Sequence, residues 1–130
     1  MPKKKILIID DDPDARLALN VRLKANEYDT FFATDGVSAM SEARKCQPDL
    51  VLLDLGLPAG DGYTVMERFH NNPQLTCTPV IVVSGRDFRV HKERSLRAGA
   101  KIFLQKPVDN DLLLRVIHKL LGDQVPSYRD

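Results

Sequence analysis

Ile6-Leu7-Ile8-Ile9-Asp10-Asp11-Asp12 is an apolar run that breaks directly into three acids, and its reading decides the fold. Four aliphatic residues in a row suit a strand covered on both faces. Ending such a strand in carboxylates is unfavourable unless a cation offsets the charge. Leu50-Val51-Leu52-Leu53-Asp54 repeats the arrangement. In a parallel sheet the strand ends open on one rim, so two acidic ends fall into one crevice. A divalent metal is the simplest counter-charge.

Working outward, short apolar runs alternate with helical patterns. The spacing predicts strands over about 5–9, 29–33, 49–53, 79–83 and 101–104. It predicts helices over about 13–26, 35–46, 62–72, 87–98 and 109–121. Asp12 caps the first helix with Pro13 at its first position, and Ala15, Ala18, Leu19 and Leu23 share a face. The last helix starts near Asp109, carries a stripe of Leu112, Leu113, Val116, Ile117 and Leu120, and stops at Gly122. The fourth has a thin apolar face, Phe88, Leu96 and Ala98, among many charges, and a helix held so lightly can shift at small cost. Five βα units with right-handed crossovers give a doubly wound, five-stranded parallel α/β sheet of flavodoxin-like order 2-1-3-4-5.

The bulk properties narrow the function. The 130 residues suit one domain, read as residues 1–122 with a polar tail over 123–130. A formal charge of +1 gives no case for nucleic acid or an anionic membrane as main partner. Cys46 and Cys77 stand in no metal spacing and point to a reducing cytoplasm, as core or half-buried fillers. The apolar run after Lys3-Lys4-Lys5 is too short for export or membrane insertion. His70, His91 and His118 lie in helical stretches without metal spacing, so solvated or half-buried places are expected. The basic cluster from Arg86 to Arg97 reads as a solvated helix face or, second, a partner-docking surface.

Four of the five strands end in chemistry. Asp10 and Asp11 follow the first, Asp54 the third, Ser84 the fourth and Lys106 the fifth. Carboxylate oxygens suit Mg²⁺, which keeps several waters and leaves room for a phosphoryl oxygen. Asp54 is the candidate nucleophile, forming an aspartyl-phosphate. A transferring phosphoryl group spreads charge over three oxygens, and metal, Ser84 hydroxyl and Lys106 ammonium supply one partner each. Each piece alone has an ordinary explanation, such as a helix cap, a turn or a surface lysine. The conjunction at one rim does not.

These residues resemble the receiver domains of two-component response regulators. The resemblance rests on Ile6 through Pro13, Pro48 through Leu55, Leu57-Pro58 through Asp61-Gly62, Ser84-Gly85, and Gly99-Ala100 through Lys106-Pro107. It implies that Asp54 takes a phosphoryl group from a phosphohistidine on a sensor histidine kinase or histidine phosphotransfer protein. It implies Mg²⁺, or Mn²⁺, on Asp11, Asp54 and the Gly56 carbonyl, with Asp10 acting through metal-bound water. By the same resemblance Ser84 grasps the phosphoryl oxygen, Lys106 pairs with it, the Lys106-Pro107 bond is cis, and Phe103 is the switch aromatic. The readout lies on the fourth helix, fifth strand and fifth helix, toward an unidentified protein target. The resemblance implies a phosphorylated switch that assists its own phosphorylation and dephosphorylation, not an enzyme for a separate substrate.

Departures from the family pattern also carry meaning. Lys101-Ile102 stands where dimerising DNA-binding members have acids, so a monomer or weak dimer without direct nucleic-acid contact is expected. Gly56 and Arg86 offer no group to orient attacking water. Past residue 121 no output domain follows, which fits a single-domain or isolated receiver.

Three rivals fit less well. A haloacid-dehalogenase-type phosphatase needs a second Asp where Gly56 stands. A flavin binder needs a phosphate loop where three aspartates repel phosphate. A phosphorylation-independent interaction module with the receiver fold is the stronger rival, though such relatives lose part of the acidic or lysine set, which is whole here.

Overall fold

A computed structural model describes residues 2–58 and 61–122. The strands are β1 (Lys5–Ile9), β2 (Asp29–Ala33), β3 (Leu50–Leu53), β4 (Val80–Ser84) and β5 (Ile102–Gln105). The helices are α1 (Pro13–Ala25), α2 (Gly36–Cys46), α3 (Gly62–His70), α4 (Phe88–Arg97) and α5 (Asn110–Leu121). All strand pairs are parallel, in the order β2-β1-β3-β4-β5. The expected topology is the one found. The expected tail over 123–130 lies outside the described residues.

Successive strand side chains point to opposite faces, so an uninterrupted apolar strand feeds two cores. Leu7, Ile9, Val51, Leu53, Val80 and Val82 join Ala39, Met40 and Ala43 of α2 and Val65, Met66 and Phe69 of α3. Ile6, Ile8, Leu50, Leu52, Ile81 and Val83 face the other way, onto Leu23 of α1 and Leu113 and Ile117 of α5. The edge strands differ from the expectation of full cover. Within β2 only Ala33 is buried, and within β5 only Leu104, because each edge strand has a sheet neighbour on one side alone.

Aspartates start the helices, as expected for Asp12. Asp12, Asp61, Asp87 and Asp109 accept backbone N–H groups at the first turns of α1, α3, α4 and α5. Asp35 and Ser38 form a reciprocal capping box on α2, and the Ser38 backbone bond holds the Asp35 carboxyl below its ordinary range. Gly122 closes α5 in the left-handed conformation.

Several details depart from the sequence expectation. Asp35, Asp87 and Asp109 cap their helices rather than join them. Ala18 and Leu112 are exposed, on the rims of their helix faces. Cys77 is exposed, in the turn after α3, while Cys46 is buried as expected, and burial raises its thiol pKa. His118 is fully inside: it shares a 2.8 Å hydrogen bond with the Tyr28 hydroxyl, which lets a polar ring sit in the core. His91 is half-buried, 2.7 Å from the Tyr63 hydroxyl, and His70 is exposed.

Candidate functional site

The sheet register puts the acidic ends side by side. Ile9 of β1 pairs with Leu53 of β3, so Asp10 and Asp54 each stand one residue past neighbouring strands. Backbone bonds fix both: the Asp10 N–H donates to Ala33 O at 3.1 Å, and the Asp54 N–H to Ile9 O at 2.9 Å. On the other side, Ser84 pairs with Gln105, and the Lys106 N–H donates to Ser84 O at 2.8 Å. Ser84 is thus the last residue of β4 rather than the first beyond it, and is completely buried.

Asp10 is the most constrained member. It is 3 % exposed, its Oδ1 accepts the Asp12 N–H at 2.9 Å, and its carbonyl accepts Arg16 Nη1 at 2.8 Å. Lys106 Nζ donates to Asp10 Oδ2 at 2.9 Å and to Asp54 Oδ2 at 3.4 Å, crossing the rim from β5. Burial pulls the Lys106 pKa down, but its bonds to Asp10 and the Asp54 charge outweigh burial, and the net shift is upward. The ammonium stays charged at neutral pH.

Asp10, Asp11 and Asp54 bring one oxygen each to within 4.8 Å of one another. Among the described residues Lys106 is the cation ion-paired with this group. Three carboxylates against one ammonium favour a second cation, and an all-oxygen set from carboxylates suits Mg²⁺. Asp11 is exposed, so the cluster opens to solvent on its side. The donor set fits the ion that the resemblance implies.

The remaining expected residues surround the cluster. Gly56 is exposed at the rim, and its N–H donates to Asp54 Oδ1 at 3.2 Å. Ser84 Oγ accepts the Arg86 N–H at 3.0 Å, which ties the hydroxyl oxygen to the β4–α4 loop. Phe103 is half-buried against the α2–α3 core. The Lys106-Pro107 bond is cis, as the resemblance implies.

Of three further neighbours, Arg16 and Gln105 had no expected role, and Arg86 was noted for the group it lacks. Arg16 steadies the Asp10 carbonyl from the first turn of α1. The Arg86 guanidinium lies 3.9 Å from where a Gly56 Cβ would stand, at ordinary contact distance. Gln105 donates to Ser84 O at 3.2 Å and accepts the Phe88 N–H at 2.9 Å. The sequence signal for Gln105 was its place between the switch aromatic and the lysine.

A family model described as the response regulator receiver domain matches residues 6–118. Protein PilH of Pseudomonas aeruginosa is 32% identical over 118 residues, covering 91% of this chain and 98% of PilH. The DNA-binding dual master transcriptional regulator RpaA of Synechocystis is 35% identical over 125 residues, covering 95% of this chain and 52% of RpaA. The chain therefore spans about half the length of that relative and nearly all of PilH. The solved receiver domain of a Francisella response regulator superposes with a TM-score of 0.85 at 28% identity, covering 92% of this chain and 98% of its own. With strand order, acidic cluster and family match in agreement, the chain belongs to the response-regulator receiver domains, the phosphoacceptor switches of two-component signalling.

Proposed function

We propose that Asp54 is the phosphoacceptor and that residues 1–122 are one receiver unit. The observation that carries this is the Lys106 ammonium bridging Asp10 and Asp54, beside the three-aspartate cluster. Asp10, Asp11 and Asp54, with the Gly56 carbonyl, would hold Mg²⁺ or Mn²⁺, which when bound offsets charge on the phosphoryl oxygens. An Asp54 carboxylate oxygen attacks phosphorus. The new O–P bond forms as the P–N bond to the donor histidine breaks, and its electron pair stays on the imidazole nitrogen. Lys106, held charged, pairs with a phosphoryl oxygen near Asp54 Oδ2. Hydrolysis of the acyl phosphate returns the carboxylate.

The switching event is a movement of Ser84 toward the phosphoryl group that exchanges its bond from the Arg86 N–H for one to a phosphoryl oxygen. Phe103 then fills the space Ser84 leaves. The consequence is read on α4, β5 and α5 by a protein target. The donor is a sensor histidine kinase or histidine phosphotransfer protein, met in the cytoplasm by a monomer or weak dimer. Among the described residues no helix is long and apolar enough to cross a membrane.

Borohydride trapping tests the assignment. Phosphorylated protein, reduced and digested, is expected to yield homoserine at position 54. Reduction at another aspartate, or at none, would refute Asp54 as the acceptor.

A further inference from the structure

Helix α4 is fastened at its first turn by a side chain from another element. Ser95 is the only buried residue on α4, while Phe88, Val90 and Leu96 are exposed. Asp87 caps the Arg89 N–H, and the Val90 and His91 N–H groups donate to Asp87 O. The Phe88 N–H, which no residue within the helix can accept, donates to Gln105 Oε1 of β5 at 2.9 Å. The other end of the same carboxamide donates to Ser84 O at 3.2 Å. This orientation is determined: flipping the amide would set NH₂ against N–H and oxygen against a carbonyl.

One planar group therefore joins the strand end that carries the switching serine to the start of a lightly held helix. The covalent route between them passes through Gly85, which is exposed and has no side chain to pack against either element. A movement of Ser84 that breaks the bond from the Arg86 N–H would leave the Gln105 carboxamide as the side-chain link from this strand end to α4. We propose that Gln105 is the positioning residue that transmits a displacement of Ser84 to the first turn of α4. The inference rests on the phosphoacceptor reading above and adds the route by which the site reaches the helix. It also gives β5 a task in the switch separate from that of Phe103, on a side chain whose two bonds span 21 and 17 residues of sequence.

Amide NMR of the full chain with Mg²⁺ and beryllofluoride, a phosphoryl mimic, tests it. In the unaltered protein the mimic is expected to shift amides around Asp54 and over residues 88–91. Gln105→Met removes both bonds at similar side-chain length. Gln105→Glu keeps an acceptor for the Phe88 N–H and removes the donor to Ser84. Both variants are expected to bind the mimic and to shift the Asp54 surroundings as before, while the response at 88–91 falls by more than half. Protection of the Phe88 amide is expected to survive only in Gln105→Glu. A full α4 response in Gln105→Glu would reduce Gln105 to a helix cap and overturn the relay, as would a full response in Gln105→Met. Loss of mimic binding in the variants would place Gln105 in the site itself, also against the relay. No binding by the unaltered protein would instead sink the phosphoacceptor reading.

Discussion

Gly56 and Arg86 act as a pair beside Asp54. The glycine carries no side chain and the guanidinium lies next to it, so neither position would present a carboxylate or amide to a water approaching the proposed acyl phosphate. Gly56→Asn with Arg86→Glu supplies such groups, and the phosphoryl group is expected to be lost about tenfold faster, below the roughly hundredfold floor for a fully positioned general base. Following phosphorylated protein by intact mass over time checks this; an unchanged decay would refute it. Gly62 is constrained differently. A Cβ there would lie 2.8 Å from Leu55 Cα and 3.0 Å from Asp54 O, both backbone and unable to yield. Gly62→Ala is expected to cost about 1–3 kcal/mol in urea unfolding and to slow phosphorylation, because what must move carries the proposed acceptor. At this scale the sequence made Asp10, Asp54, Ser84 and Lys106 legible, since each sits at a strand end where a polar residue needs a reason. Arg16 and Gln105 were not legible in the same way, and for Arg86 the sequence showed what it lacks but not what it touches. Their roles are contacts that exist only once separate elements meet. Cys77 was misplaced because the turn after α3 has no periodicity to show which side faces in.

Among the elements, α4 and α5 differ most in how they are held. α5 buries Leu113, Ile117 and His118, whereas α4 buries Ser95. Backbone amides in the middle of α4 are expected to exchange with solvent faster than those of α5, as local opening exposes little apolar surface. Hydrogen exchange resolved by residue checks this, and equal protection in the two helices would contradict it. The thin apolar face that foretells this was visible in the sequence as charges crowding Phe88, Leu96 and Ala98. The anchor of α5 was not. Tyr28 and His118 lie 90 residues apart, and only the folded sheet brings the hydroxyl 2.8 Å from the ring nitrogen. Tyr28→Phe takes the hydroxyl from that buried nitrogen, and is expected to cost about 1–3 kcal/mol. Chemical denaturation measures it; a change within error would show that the bond contributes nothing net.

For the whole molecule, topology does the assembling. A parallel five-stranded sheet with helices on both faces opens its strand ends on one rim, and the order β2-β1-β3-β4-β5 sets β1 and β3 side by side. That adjacency turns two acids 44 residues apart in sequence into one cluster. The alternation of apolar runs and helical patterns made this much legible before any coordinates, because both periodicities are strong in the central strands. The edge strands were less legible, since a strand covered on one side mixes buried and exposed residues. The chemistry follows from the adjacency: carboxylates that repel one another, an ammonium that bridges two of them, and space suited to a divalent cation and a phosphoryl oxygen. Intact mass after incubation with Mg²⁺ and acetyl phosphate, beside Asp54→Ala and an EDTA control, addresses this most directly. One added phosphoryl group, absent from both controls and removed by hydroxylamine, is the expected result. No addition from acetyl phosphate or from a phosphorylated histidine kinase, or equal addition to Asp54→Ala, would contradict a phosphoacceptor at Asp54.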